Sequence, residues 1–304
     1  MSGAAPNSTE RAITGRMKSA KDPEDKPKKK HPILGKILPG IIIIILVWGV
    51  FSWIPVTETI YLDLFPGEDT GVRLLLLTDL HSCYYGKDQK DLLSMIEKAS
   101  PDVVLLGGDF FDDVLSEDNA KITAEYLSAH YPTYYVTGNH EFWSGRVDDM
   151  KDYLRDLGIY VLEGDCQTIT VNGHTLDICG IDDPDEMTET EWRAQIDRAY
   201  AQMTEADNSA IRILLTHRPE KVSVYEQYDF DLVLAGHAHA GQIYIPFLKN
   251  GLFAPDQGLF AKYVNGAYTL SNGSTMIVSR GLGRESTIAP RYFNHPELVV
   301  VELY

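Results

Sequence analysis

The sequence predicts an α/β protein, a layered domain with mixed sheets preceded by one transmembrane helix. Three observations lead there. Short apolar runs alternate with amphipathic stretches from residue 72 to residue 235, the pattern of strands interleaved with helices. The pair Asn172-Gly173 lies between two alternating runs and reads as a two-residue hairpin turn, so part of the sheet must be antiparallel. Ahead of both, the 21 residues from Ile37 to Thr57 carry no charge. At 44% hydrophobic and 10% aromatic residues the chain can bury a sizeable core, and disorder is not its default state.

In chain order, residues 1–32 are polar and rich in Lys and Pro, the composition of a disordered tail. Residues 33–57 are expected to form the membrane helix. Its uncharged 21 residues would span about 32 Å, against about 30 Å of hydrocarbon. Pro39 falls in the first turn and Pro55 near the end, where proline is tolerated. Trp48 and Trp53 are candidate interface anchors. Lys26, Lys28, Lys29, Lys30 and Lys36 precede the run, so the positive-inside bias places the N-terminus in the cytoplasm and residues 58–304 outside the cell membrane. No small-x-small cleavage site follows Trp53, which favours a retained anchor over a cleaved signal.

Beyond the anchor, strands are expected over residues 59–64, 72–77, 103–106, 133–136, 211–215, 232–235, 277–280 and 298–303. Helices are expected over 88–99, 120–130, 147–157 and 189–203. In the Asn172-Gly173 hairpin Val171 faces His174, which puts Cys166 opposite Cys179 in a pair whose Cα atoms approach to about 4.5 Å. An oxidising exterior would permit a bond there; two unlinked small residues at strand ends fit equally. Residues 241–272, rich in Gly, Phe and Tyr, show no periodicity and are expected to be a long loop with a role, such as covering a site and choosing the substrate.

The chemistry lies at the strand ends. Asp79-Leu80-His81, Gly107-Gly108-Asp109, Gly138-Asn139-His140-Glu141, Thr216-His217 and Gly236-His237-Ala238-His239 each follow a predicted strand, and they hold five of the nine histidines. Loops beyond the carboxyl ends of strands in an α/β sheet gather into one crevice, so these side chains would converge. Carboxylate, amide oxygen and imidazole without thiolate suit Mn, Fe or Zn. Two such ions polarise a phosphoryl group and bring a water toward neutral pKa. Less the charges of Asp79 and Asp109, they leave the centre at about +2, enough to draw a phosphate to an acidic protein. That protein is acidic indeed: residues 1–36 hold nine Lys/Arg against four acids, so residues 37–304 carry −22 of a chain total of −17. Such a body repels long polyanions, and no nucleic-acid partner is expected.

Together with Gly180-Ile181-Asp182-Asp183, His217-Arg218-Pro219-Glu220 and Ser279-Arg280-Gly281-Leu282-Gly283, these blocks resemble the calcineurin-like metallophosphoesterase superfamily over about residues 70–304. More narrowly they resemble its bacterial membrane-associated phosphohydrolase branch. The resemblance implies a layered α/β/β/α sandwich and two divalent ions. Asp79, His81 and His239 would hold the first ion, Asn139, His217 and His237 the second, with Asp109 bridging them. His140 would be the non-ligand histidine that protonates the leaving group while a metal-bridging hydroxide attacks phosphorus in line. Arg280 and Arg291 are candidate phosphate contacts, surface salt bridging being the competing reading. Cys83, Tyr84 and Tyr85 stand where many relatives carry smaller or aliphatic residues, so the entrance is expected to differ.

The expected substrate is a phosphodiester or phosphoanhydride, a small molecule or more specifically a lipid of the envelope, because about 14 residues separate the anchor from the first core strand. A UDP-2,3-diacylglucosamine pyrophosphatase of lipid A synthesis and a metal-stabilised sensor module are the competing readings.

Overall fold

The computed structural model describes residues 34–51, 53–65, 70–203, 210–244, 251–284 and 291–304. The basic tail expected over residues 1–32 lies outside the described residues. Helix α1 (Leu34–Phe51) has 18 residues and exposes Ile37, Leu38 and every side chain from Ile41 to Val47. Among the described residues no helix is long and apolar enough to cross a membrane. The helix expected over residues 33–57 is corrected accordingly: it stops at Phe51, about 27 Å along its axis. By β1 (Val56–Leu62) the chain is extended, because Val56, Thr57, Thr59 and Ile60 are β-branched and have a partner strand.

The first half of the domain continues as β2 (Val72–Leu77), α2 (Lys90–Ala99), β3 (Val103–Gly107), α3 (Asp118–His130), β4 (Thr133–Val136), α4 (Asn139–Trp143), α5 (Val147–Asp156) and β5 (Tyr160–Val161). The second half runs β6 (Asp165–Val171), β7 (His174–Gly180), α6 (Glu189–Ala201), β8 (Ile211–Leu215), α7 (Val222–Tyr225) and β9 (Leu232–Ala235). It closes with β10 (Phe253–Ala254), β11 (Gly258–Leu259), β12 (Gly266–Thr269), β13 (Thr275–Val278) and β14 (Glu297–Leu303). One six-stranded sheet has the order β1-β14-β2-β3-β4-β5, the other β12-β13-β9-β8-β7-β6. Strands β2 to β5 are mutually parallel, as are β7, β8, β9 and β13; β14 lies antiparallel to β2, and β6 and β12 are antiparallel edges.

A strand covered on both faces reads as an unbroken apolar run, and β2 shows why. Leu75 and Leu77 pack with Leu92 and Ile96 of α2, Leu127 of α3 and Leu154 of α5. Leu74 and Leu76 pack on the other side with Ile178, Ile213, Leu215 and Leu234 of the second sheet. The outer face of that sheet, through Cys179, Leu214 and Val233, is covered by Trp192 and Ile196 of α6 and Tyr225 of α7. The layers therefore run helix, sheet, sheet, helix. Truncating a fully buried leucine such as Leu76 between the sheets would cost about 2–5 kcal/mol.

Strands over 72–77, 133–136, 211–215 and 232–235 have the expected bounds. The one expected over 277–280 is instead Thr275–Val278, because the pairing with β9 begins at Thr275 and Met276, opposite Leu232 and Val233, and ends at Val278 opposite Ala235. The hairpin has the expected register, and Cys166 and Cys179 are joined as a disulfide. The loop expected over 241–272 holds the β10–β11 hairpin and β12 among its described residues.

Candidate metal centre

The parallel strands of both sheets point their carboxyl ends to one place. Asp79 follows β2, Asp109 follows β3, Asn139 opens α4 after β4, His217 follows β8, and His237 and His239 follow β9. The backbone there is forced: Asp79, His81, Asp109, His237 and His239 all have φ between 44° and 64°. Each such left-handed residue costs of order 1–3 kcal/mol and persists only where the surroundings overdetermine it. Glycine supplies the remaining room. A Cβ on Gly281 (φ 70°) would stand 2.5 Å from the Asp79 carboxylate, and one on Gly108 (φ 88°) 2.5 Å from His217 Nδ1.

Two groups of possible ligands result, Asp79–His81–His239 and Asp109–His217–His237, all buried. Asp109 joins them, its Oδ2 lying 3.2 Å from His217 Nε2 and 3.6 Å from His81 Nε2. Around the other ligands, His239 Nε2 is 3.6 Å from Asp79 Oδ1, and the His237 N–H donates to that same oxygen at 2.9 Å. His217 Nδ1 donates to the Gly107 carbonyl at 2.8 Å, which turns Nε2 toward Asp109. Among the described residues Asp79 Oδ2, Asn139 Oδ1 and both ring nitrogens of His81 are buried without a hydrogen-bond partner. Orphaned acceptors in a native interior call for an ion or a water, and this donor set fits two hard or borderline divalent ions.

Charge balance agrees. Burial opposes ionisation of Asp109, but His217 and His81 outweigh it and hold the carboxyl well below its usual range. Burial likewise disfavours the His217 cation, yet Asp109 pushes that imidazole up to about 10. His81 is raised against its own burial by Asp109 and Asp112, whereas burial and Arg291 hold His239 well below the usual histidine range. The carboxylates thus draw positive charge into the centre.

His140 belongs to neither triad that shares Asp109. Its main-chain N–H binds Asp109 Oδ1 at 2.9 Å, and its Nδ1 lies 2.6 Å from Asp113 and 3.6 Å from Asp112. Asp112, His81 and His140 form a further cluster within ligand reach of one another. Glu141, to which sequence reasoning gave no role, ties two blocks together. Its buried carboxyl accepts N–H groups from Asp109 (3.1 Å), Phe110 (2.7 Å), Phe111 (2.9 Å) and Gly138 (2.8 Å). Burial, reinforced by Asp109, pushes it up to about 7. The available signal was its place three residues after Gly138 at the start of α4, the acidic half of a capping box.

A cavity of about 290 Å³ lies over the centre, lined among others by Asp109, Asn139, His140, Trp143, Arg218 and Asp256. Neither expected phosphate arginine lines it. Arg280 is held by Glu58 and Glu297, and Arg291 is buried, donating to the carbonyls of Gly283, Arg280 and Gly281 and lying 3.1 Å from His239 Nδ1. The arginine that does line it is Arg218, which sequence reasoning quoted only as part of a motif. Its signal was adjacency to His217, but its orientation depends on acids 35 residues away. At the entrance, Cys83 and Tyr85 are buried and only Tyr84 is exposed.

Carboxylates, amide and imidazoles gathered on a shared aspartate at the joined ends of two sheets put the chain among the metal-dependent phosphoesterases. Residues 72–241 match the family described as calcineurin-like phosphoesterase, and the chain belongs to it; the family uses two divalent metals. A metallophosphoesterase of Helicobacter pylori (strain J99) is 32% identical over 230 residues, 74% of this chain and 57% of that protein. One of Campylobacter jejuni is 30% identical over 253 residues, 78% of this chain and 60% of that protein. A Danio rerio protein named transmembrane protein with metallophosphoesterase domain is 30% identical over 234 residues, 72% of this chain and 50% of its own length. The matched stretch thus spans between half and two thirds of these curated relatives.

Proposed function

We propose that the chain hydrolyses a phosphodiester or phosphoanhydride at a binuclear centre. Asp79, His81 and His239 would hold one ion and Asn139, His217 and His237 the other, with Asp109 between the two groups. The observation that carries this reading is Asp109 Oδ2, within 3.6 Å of a histidine from each triad. When bound, the ions polarise the phosphoryl oxygens and acidify water. His140, steadied through Nδ1 by Asp113, gives the proton to the departing oxygen; such a group is worth about 10²–10⁴ in rate. Glu141 keeps Asp109 and Asn139 in mutual register. A phosphate role for Arg280 and Arg291 has less support, since both guanidinium groups already have partners. A sensor function is disfavoured by the full ligand set with His140 beside it.

The test is hydrolysis of bis-p-nitrophenyl phosphate against p-nitrophenyl phosphate by the full chain, with Mn²⁺ and after chelation. Chelator-sensitive turnover that Asp109→Ala abolishes supports the reading. Two bound metals without turnover on either ester would move the weight to a sensor or to a pyrophosphate bond of the UDP-diacylglucosamine kind.

We further propose that the protein works at the cell membrane on a lipid phosphoester, with its N-terminus cytoplasmic and the catalytic domain outside. The uncharged run from Ile37 to Thr57, the lysines before it and the exposed apolar side chains of α1 support this. So does the similarity to the Danio rerio protein named transmembrane protein with metallophosphoesterase domain. Because α1 alone is short, the attachment is assigned to α1 together with the uncharged residues that follow it up to Pro55, ahead of β1. Extraction of membranes with alkaline carbonate tests it: release into the supernatant, or equal rates on a lipid phosphoester and its water-soluble analogue, would count against it.

A further inference from the structure

Resting on the phosphoesterase reading, we infer that Arg218 is the residue that grips a non-bridging phosphoryl oxygen of the substrate, and that Asp256 occupies its grip until an anion displaces it. Arg218 is 5% exposed and is built in from one side. Its Nε and Nη2 fork onto the two oxygens of Asp183 at 2.5 and 2.9 Å, and Nη2 also reaches Asp185 at 3.0 Å. A fork of this kind fixes the plane of the guanidinium. The remaining nitrogen, Nη1, is directed to the metal side, 3.2 Å from His237 Nε2, and bonds Asp256 Oδ2. Arg218, Asp256, His140 and His237 line one cavity.

The three acids around Arg218 differ in kind. Asp183 is fully buried and Asp185 is 32% exposed, whereas the Asp256 side chain, at 52%, is the most open of the three. Asp256 sits at the turn between two-residue strands β10 and β11, with φ 55°. One carboxylate suffices to balance a guanidinium, so an arginine with three has charge to offer only if one acid leaves. The exposed acid on the short hairpin is the one free to go. A phosphoryl oxygen placed there would meet Nη1 and remain beside His237. Asp256 also accepts from His237 Nε2 at 2.9 Å, so its second possible role is to orient that imidazole. The two roles make opposite predictions for anion binding.

The experiment is calorimetric binding of inorganic phosphate to the Mn²⁺-loaded full chain, with Mn²⁺ affinity measured in the same preparations. Asp256→Asn removes the competing charge and keeps the shape. Phosphate should then bind about tenfold tighter, the size of one relieved ionic competition near a surface, with Mn²⁺ affinity changed little. Arg218→Lys retains a charge for Asp183 but not the fork, and should weaken phosphate about tenfold or more. In the double variant the gain from Asp256→Asn should vanish, because Asp256 acts through Arg218. Phosphate affinity unchanged or weaker in Asp256→Asn, or a loss of Mn²⁺ affinity there, overturns the inference and leaves Asp256 as a support for His237. The read-out is binding, so a wild type that takes up Mn²⁺ and phosphate without turning over either ester would undo the hydrolase reading alone.

Discussion

The ring of candidate ligands and the wall of the cavity above it are built on different terms. Ring residues follow the ends of parallel strands within four positions and are buried, and Asp79, His81, Asp109, His237 and His239 hold left-handed backbone that their neighbours enforce. Wall residues arrive late and from far apart: Trp143 at the end of α4, Arg218 braced by Asp183 and Asp185, Asp256 on a small hairpin. Trp143 is exposed, with its indole N–H on Asp185 at 2.8 Å. The difference teaches where chemistry and selectivity are stored. The candidate ligands are positioned by the sheet, whereas the cavity wall is carried largely by loops and short elements, which can change without disturbing the sheet.

The harshest way to break the comparison is at the shared carboxylate. Asp109→Ala should bring Mn²⁺-dependent turnover below detection and take metal from both triads at once; retention of one tightly held ion would mean that the triads are independent. His140→Ala should cost about 10²–10⁴ in kcat while both ions stay bound. If metal content falls with it, His140 belongs to the ring after all.

Glu141→Ala attacks the ring without touching a ligand. Several buried N–H groups would lose their acceptor, at about 1–3 kcal/mol each, so a fall in Tm of roughly 10 °C is expected together with weaker Mn²⁺ binding. A melting curve that does not move would show that water replaces the carboxylate. The mildest prediction concerns Glu297, which belongs to neither region. Burial, opposed by Arg280 and reinforced by Glu58, pushes its carboxyl up to about 8. The folded state then keeps a proton that the unfolded chain releases near 4.5, so this contribution to stability is full below that pH and is lost as pH rises through about 8. Glu297→Gln should match the wild type in Tm at pH 5 and exceed it by a few degrees at pH 9; the reverse order would place the charged carboxylate among the stabilising groups.

The clustering of the candidate ring was legible in the sequence because each block abuts a short, mostly apolar strand of four to six residues, and parallel strands must end on the same side. Bounds of β2, β4, β8 and β9 were legible for the same reason. The wall was not. Arg280 and Arg291 look as suitable as Arg218 when read alone, and only their partners separate them: Glu58 and Glu297 for one, main-chain carbonyls for the other. Short elements such as α4, β10 and β11 have too few residues to show a period. The end of α1 was misplaced because absence of charge does not distinguish helix from strand, whereas the β-branched residues from Val56 onward answer to β14.

The position of β14 has a consequence for synthesis. It is inserted between β1 and β2, so the strand that leads to Asp79 has only β3 beside it until Glu297–Leu303 have been made. A nascent chain holding everything up to β13 therefore carries an open edge at Val72–Leu77, apolar except for Arg73. Such an edge recruits foreign strands. Strand β14 thus acts as a closing stitch between β1 and the strand that leads to Asp79.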